Sequence, residues 1–322
     1  MTARSEMNWL QALLLGIVQG LTEFLPVSSS GHLMIVKELL GVDGEGFLDF
    51  TVTVHLATVL STLVVFWKPV CRLLSGLFKF RYNYETDYVF KIIVSMIPVA
   101  LVGFLLKDQV EALFGDSLTT VAICLLITAA LLVLSDLFGA SRPALESARS
   151  GNTSPAAVLP SKDIDKPASA DRSGRDISRE NSWRQEGRDG FEDGVAPISY
   201  SQALLVGIGQ ALAVAPGLSR SGTTIATGLL CGVRREVMAQ FSFLMVLIPI
   251  VGEQALDVLK AATGHAELGG GLSPVCLIVG FAAAFVSGLF ACEAMVALVK
   301  RSKLGWFALY CAVVAALIFI FA

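Results

Sequence analysis

Charged residues are scarce in this sequence. They make up 16% of its 322 residues, and hydrophobic residues make up 54%. Soluble domains carry about 25% charged residues, and the mean hydropathy here is +0.69, so we interpret the chain as an integral membrane protein. The net charge is only −3 and basic residues form no stripe outside short loops, which excludes a nucleic-acid partner.

Cysteine pairs and a signal peptide are also missing. The six cysteines are scattered through apolar stretches without a C-x-x-C spacing, which indicates small buried side chains and not disulfides or metal ligands. The amino terminus lacks a signal-peptide layout, because cleavage after Gly16 would destroy the first of the two motifs described next. We therefore expect the first apolar run to be part of the working protein.

The first apolar run is too short to cross a membrane. Residues 9–23 are followed by a Pro/Ser/Gly break at 26–31 and a second short run at 32–40, whereas a spanning helix needs about 20 residues. Residues 202–224 repeat this layout, and they match residues 11–32 at Gln-Ala-Leu-Leu, Gly, Ile, Gln, Leu and Ser-x-Ser-Gly without a gap. Broken helices in both halves predict an internal repeat with the working site between its copies.

The predicted fold is all-α, a polytopic membrane protein with an inverted-topology repeat. Each half, residues 1–138 and 198–322, holds one re-entrant helix hairpin, which is tolerated only inside protein or beside a cavity. Six full spans are expected at residues 50–67, 92–106, 118–137, 237–259, 274–299 and 304–321. Residues 139–197 are rich in Ser, Pro, Gly and mixed charge, so we predict a disordered linker, with partner binding as an alternative.

Basic residues predict the orientation. One loop carries Lys68, Arg72, Lys79, Arg81 and Lys91, and another spans residues 300–303. The positive-inside rule places both loops in the cytoplasm. Counting spans from there puts the linker on the cytoplasmic side and opens the first hairpin toward the periplasm, so the two halves are inverted.

The residues after each break predict an anion site. Helix N-termini present free N–H groups that attract phosphate, and Arg220 adds a bidentate grip. An arginine in an apolar half-helix costs at least ~2.5 kcal/mol to insert, which an anion would offset. The alternative is that the serines are N-caps and Arg220 snorkels to the interface. The candidate cradle comprises Ser28, Ser29, Ser30, Gly31, Ser219, Ser221, Gly222 and Thr224.

Gln19 and Glu23 are candidate metal ligands. Their i, i+4 spacing puts them on one helix face beside the first break. A carboxylate would repel phosphate unless a divalent cation joined them, and oxygen ligands suit Mg²⁺ or Ca²⁺. A Glu23–Arg220 ion pair without metal is the alternative. His32 is a candidate acid, base or nucleophile, against a structural role, whereas His55 in the next span favours packing or hydrogen bonding.

Residues 21–32 and 216–224 resemble the two signature motifs of the bacterial undecaprenyl-diphosphate phosphatases, the bacitracin-resistance proteins, and the hydropathy agrees over nearly the whole chain. Gln19 stands where that family often has Glu, and the linker is longer than usual. The resemblance implies Mg²⁺- or Ca²⁺-dependent removal of the terminal phosphate from undecaprenyl diphosphate. This reaction takes place at the periplasmic face of the inner membrane, recycles the carrier for peptidoglycan synthesis and confers bacitracin resistance.

The resemblance also implies residue roles. Glu23 would bind metal or position water, and Ser29 would contact the phosphate, with nucleophilic attack as one option. His32 would be base or nucleophile, with water as a third candidate for the attacking group. Arg220 would stabilise the developing charge.

Two other classes of function compete with the phosphatase. Inverted repeats with broken helices also build secondary transporters, so a lipid-phosphate or anion transporter (a flippase) is the main alternative. Glu23 and His32 favour the enzyme, since a carrier gains little from a carboxylate beside its phosphate. A membrane scaffold is the third class, and it predicts that Arg220 is replaceable. The expected partners are the lipid substrate and membrane lipids, and a homodimer is compatible with the sequence.

Overall fold

Eleven helices form the regular structure of the residues that the computed structural model describes, namely 7–42, 46–79, 81–106, 117–139, 198–215, 217–262, 272–301 and 304–321. They are α1 (Trp9–Phe24), α2 (Ser29–Leu40), α3 (Phe47–Val65), α4 (Trp67–Leu77), α5 (Tyr84–Leu105), α6 (Leu118–Gly139), α7 (Tyr200–Leu212), α8 (Arg220–Leu230), α9 (Arg235–Ala262), α10 (Pro274–Arg301) and α11 (Gly305–Phe321).

Three helices are long and apolar enough to cross a membrane by themselves, within α5, α6 and α10. The pair α3 and α4 passes the same test together, although the two are bent by 75°. Helix α1, part of α9 and α11 are apolar but shorter. The all-helical membrane class is therefore confirmed, while the count of six spans and the re-entrant hairpins stay predictions. The predicted linker lies outside the described residues except for Gly139, which ends α6.

The prediction of a loop between the first two spans is wrong. Helix α4 occupies residues 68–77 of it, and α5 begins at Tyr84, so Lys91 lies inside α5. Helix α4 carries basic Lys68 and Arg72 and buries Leu73 and Gly76, so it can lie as an amphipathic helix across the ends of the spans. Arg72 on this helix pairs with Glu85 at the start of α5 at 3.2 Å. The basic charge of this region is therefore carried largely on ordered helix.

The two copies of the repeat begin with the same local structure. Asn8 with Gln11, and Ser199 with Gln202, form capping boxes at the first turns of α1 and α7. The amides of Gln11 and Gln202 each donate at 3.1 Å to a carbonyl at the carboxyl-terminal end of the helix that follows, α2 or α8. Each pair of short helices is thus closed into a hairpin by the same glutamine.

Glycines allow each hairpin to pack tightly on a long helix from the other half. Helix α1 packs on α10, and α7 packs on α5 in the equivalent way. A methyl group on Gly16 would collide with the Gly280 carbonyl, and one on Gly207 would collide with the Ser95 carbonyl. Small residues at such crossings let membrane helices approach closely. The crossed packing brings the two helix breaks toward each other.

Candidate active site

The breaks after α1 and α7 meet in the structure. The Ser221 hydroxyl at the start of α8 donates to the Leu25 carbonyl in the first break at 3.2 Å. A methyl on Gly31 would lie 3.6 Å from the Gly217 Cα, and Gly217 has φ +89°, which favours glycine. The predicted candidates from both copies therefore belong to one region of the molecule.

Glu23 is the centre of a polar cluster at the first break. Its Oε2 accepts from the Gln19 Nε2 at 2.8 Å and from the Ser29 hydroxyl at 2.5 Å. The second distance is typical of a hydroxyl donating to a carboxylate. The Nε2 of His55 lies 3.7 Å from the same oxygen. The side chain of Glu23 is only 10% exposed, so the groups that donate hydrogen bonds to this carboxylate fix its orientation.

Arg220 is the first residue of α8 and lines the same cleft as Glu23. Within the described chain its guanidinium makes no hydrogen bond or ion pair, so the predicted alternative of a direct Glu23–Arg220 ion pair is not observed. A partly buried guanidinium among apolar helices favours an anionic partner. Arg220 is therefore a candidate contact for an anionic ligand at this cleft.

The cleft is narrow, and its walls combine polar and apolar side chains. Phe243 forms part of the wall, with its ring centroid 6.3 Å from that of Phe24 and 5.7 Å from that of Phe66. The cleft is lined by Glu23, Phe24, Thr58, Val59, Thr62, Arg220, Ser221, Ser242, Phe243, Val246 and Leu247.

Several predicted cradle residues serve their own helices. The hydroxyls of Ser28 and Ser219 accept from the N–H groups of Gly31 and Gly222 at 3.3 and 3.1 Å, as N-caps. Ser30 is exposed, and its hydroxyl lies 3.4 Å from that of Ser28. For Ser28 and Ser219 the capping interpretation describes the observed contacts, and a phosphate contact stays a prediction.

Thr224 and Ser221 reach different surroundings. The Thr224 hydroxyl is buried and lies 2.6 Å from that of Ser242, which lines the cleft. Ser221 lines the cleft directly. Thr224 therefore supports the wall, while Ser221 is placed for direct contact with a ligand.

His32 is not free at the cleft. It is 7% exposed, and its two ring nitrogens lie 2.8 Å from the Ser28 carbonyl and 2.8 Å from the Tyr310 hydroxyl. The structure thus does not bring His32 into the polar cluster of Glu23 and Ser29. Its role as base or nucleophile stays a prediction.

A polar stripe on α3 was missed as part of the site. His55 lies beside Glu23, and Thr58 and Thr62 line the cleft. These three residues have the i, i+3, i+7 spacing that puts side chains on one helix face. The sequence alone could have revealed this polar face, because its three polar residues interrupt an otherwise apolar span at helical spacing. Ser242 on α9 has no such pattern around it, so the sequence offered no reason to select it.

The oxygen donors at Glu23 fit a hard divalent cation together with phosphate. In the described chain no three His, Cys, Asp or Glu side chains gather into a metal site. Mg²⁺ is often bound by one or two carboxylates plus substrate phosphates and water, and Glu23 supplies one such carboxylate. Gln19 turns its Nε2 to Glu23, and its buried Oε1 has no hydrogen-bond partner. Glu23 and Gln19 both stay predicted ligands, and the Gln19 Nε2 also orients Glu23.

Comparison with known proteins covers almost the whole chain. The sequence model of the family described as "Bacitracin resistance protein BacA" matches residues 12–317. A protein of Bacteroides fragilis named undecaprenyl-diphosphatase is 46% identical over 96% of this chain and 96% of its own length. Proteins of the same name are 42% identical in Christiangramia forsetii, over 98% of this chain and 100% of that protein, and 32% identical in Methanosphaera stadtmanae, over 95% of both. The chain therefore belongs to the BacA family of bacitracin resistance proteins.

Proposed function

We propose that this chain is an undecaprenyl-diphosphatase, which hydrolyses undecaprenyl diphosphate to undecaprenyl phosphate and inorganic phosphate. Family membership and relatives at up to 46% identity along nearly the full length support this activity. The product is the lipid carrier that cell-wall synthesis reuses, and bacitracin resistance follows from the family.

The single observation that carries the proposal is a cleft lined by both Arg220 and Glu23, with Ser29 hydrogen-bonded to Glu23. A hydroxyl bonded to a carboxylate at 2.5 Å has its base already in place. The Arg220 guanidinium lines the same cleft as Glu23, and it would stabilise charge that develops on a phosphoryl group bound there. Base and charge-stabilising cation thus line one cleft, and the nucleophile is hydrogen-bonded to the base.

The chemistry of these groups is a phosphoryl transfer. The Ser29 Oγ attacks the terminal phosphorus while Glu23 Oε2 takes its proton, and the bond from phosphorus to the bridging oxygen breaks to release undecaprenyl phosphate. Glu23 then gives up this proton to solvent, and water attacks the phosphorus of the phosphoserine while Glu23 takes a proton from the water. The bond from phosphorus to Ser29 Oγ breaks, Glu23 returns a proton to Oγ, and inorganic phosphate leaves. Arg220 stabilises the negative charge of the equatorial oxygens in both steps. Gln19 keeps the Glu23 carboxylate oriented toward Ser29.

We propose Mg²⁺ or Ca²⁺ as the cofactor. Glu23 would hold the cation together with oxygens of the substrate diphosphate and water, and the cation would supply neutralisation of phosphate charge beside a carboxylate. The protein's own contribution is to exclude bulk water with Phe24 and Phe243 and to hold Glu23 and Arg220 apart.

We also propose how the helices cross the membrane and on which side the cleft opens. We propose two re-entrant hairpins, α1–α2 and α7–α8, and six spans in the bacterial inner membrane, with the cleft open to the periplasm. The short lengths of α1, α2, α7 and α8 and the basic residues of α4 favour this topology. The polyprenyl tail would lie against the exposed apolar side chains of the spans, and a homodimer is compatible with them. We expect a reporter enzyme that works only in the periplasm to be active when it is fused after residue 322. If instead only a reporter that works in the cytoplasm is active there, the proposed orientation is reversed.

The function is tested by phosphate release from the purified full-length protein in detergent. With undecaprenyl diphosphate and Mg²⁺ we expect release of one phosphate per lipid, loss of release in EDTA, and recovery with added Mg²⁺ or Ca²⁺. Unchanged release in EDTA would remove the cation from the proposal but keep the enzyme. Intact diphosphate from a folded sample, together with movement of the lipid between leaflets of proteoliposomes, would favour the transporter.

A further inference from the structure

The imidazole of His32 is held on both of its nitrogens. Nδ1 lies 2.8 Å from the Ser28 carbonyl oxygen and Nε2 lies 2.8 Å from the Tyr310 hydroxyl. The rings of His32 and Tyr310 stack with centroids 5.6 Å apart. Because a carbonyl can only accept, Nδ1 carries the proton, and in the neutral ring Nε2 accepts from Tyr310. Neither nitrogen is free to act on a substrate or on Ser29.

The residue that His32 holds has an unusual backbone. Ser28 has φ +69° and is the only non-glycine residue of the described chain with a positive φ. Side chains disfavour this region, and such residues persist only where their surroundings hold them. Because the peptide unit is planar, fixing the Ser28 carbonyl also fixes the direction of the Ser29 N–H. That N–H belongs to the first turn of α2, where helix donors lack a partner in their own helix.

The second copy of the repeat provides an internal comparison. Ser219 aligns with Ser28 but has an ordinary φ of −71°. Thr223 aligns with His32, and its buried hydroxyl has no hydrogen-bond partner. The positive φ of the second break falls on Gly217, where no side chain opposes it. The imidazole therefore occurs only in the first of the two copies. This is the copy in which the serine has a positive φ, and it is also the copy that carries Glu23 and Ser29.

We propose that His32 and Tyr310 are positioning residues, which hold the Ser28–Ser29 turn in the shape that aims Ser29 at the phosphate, and that His32 transfers no proton. Tyr310 lies on α11, so a helix at the end of the chain shapes the first break. Cys311, its neighbour, also contacts this break through the Pro26 carbonyl at 3.7 Å. The inference rests on the proposed diphosphatase activity.

The decisive comparison is His32→Asn with His32→Ala. The amide nitrogen of asparagine takes the place of Nδ1 and can donate to the Ser28 carbonyl, but it cannot act as a base or nucleophile. We expect His32→Asn to keep kcat within about tenfold of the wild type, consistent with the loss of one hydrogen bond. His32→Ala should lower kcat at least about 100-fold, with KM for the lipid changed less than kcat in both variants. The shape of the pH profile should be the same in His32→Asn and the wild type.

Tyr310→Phe tests the second contact, because it removes the hydroxyl and keeps the ring. We expect kcat about five- to tenfold lower in the wild-type background and no further decrease in the His32→Asn background, since asparagine does not reach Tyr310. Tyr82→Phe removes another tyrosine hydroxyl, bonded to Asp87 outside the site, and should leave kcat unchanged. Thermal unfolding in detergent confirms that each variant is folded.

Different outcomes separate this inference from the function on which it rests. His32→Asn and His32→Ala variants that are folded and equally inactive would overturn the inference, and would make His32 a base or nucleophile. Full activity of Tyr310→Phe would overturn the role of the tyrosine. A wild-type protein that releases no phosphate would overturn the proposed function, and this inference with it.

Discussion

Replacing Ser29 by alanine should lower kcat for undecaprenyl diphosphate at least about 1,000-fold, because loss of a nucleophile stops the reaction and leaves only binding and charge stabilisation. The variant should fold, since Glu23 keeps its hydrogen bond from Gln19 at 2.8 Å. Phosphate release under single-turnover conditions measures the effect. Acid quenching of the wild type with substrate labelled in its terminal phosphate should leave label on the protein, and Ser29→Ala should carry none.

Ser30→Ala is the matched control, because Ser30 is the next residue of the same helix turn and is exposed. We expect it to keep kcat within about tenfold and to retain the labelled phosphoserine. A Ser29→Ala variant that loses only about tenfold would match the loss of a single hydrogen bond to phosphate. That result would transfer the attack to water and leave Ser29 as a binding group.

Arg220→Ala should lower kcat/KM about 100- to 1,000-fold, the usual effect of removing one group that stabilises charge in a transition state. Arg220→Lys should recover only part of this loss, since lysine cannot make the bidentate contact with phosphate. The removal breaks no hydrogen bond of the described chain, although it takes away an electrostatic attraction to buried Glu23, so the thermal stability should decrease only modestly. Steady-state phosphate release with the three proteins gives the comparison.

Arg81→Ala provides the control for a removed arginine, because Arg81 is exposed and lies outside the cleft. It should have wild-type kcat/KM. If Arg220→Ala is folded and remains within about threefold of the wild type, the guanidinium does not stabilise the transferred phosphoryl group. That outcome would favour the scaffold and transporter classes, which do not need this residue for a chemical step.

Local signals in the sequence predicted the helices closely. The predicted spans at residues 118–137 and 274–299 correspond to α6 and α10, which extend each of them by only two residues. Pro, Ser and Gly end α1 and α7 where the breaks were expected, since these residues act on the backbone within a turn of their own position. Helix α4 was missed because an eleven-residue helix with Lys68 and Arg72 is too short and too polar to be recognised when only span-length hydropathy is considered.

The roles within the site were less accessible. His32 was selected over His55 because it lies in the motif, yet His55 is the imidazole next to Glu23, at 3.7 Å. The partner of His32 is Tyr310, 278 residues away in the chain. The contact of Thr224 with Ser242 likewise joins two helices. Such pairs depend on how helices rotate about their axes when they pack, and a single sequence contains no direct measure of that rotation.

The sequence by itself determined the membrane class, the repeat, the two helix breaks and the kinds of side chain placed at them, because hydropathy and backbone preference act over a few residues. The tertiary structure alone decided that Ser29 and not His32 bonds to Glu23, that Arg220 and Glu23 line one cleft, and that α11 reaches the first break through Tyr310. These features depend on the close crossing of α1 with α10 and of α7 with α5, and the free energy of that packing comes from contacts between residues far apart in the chain.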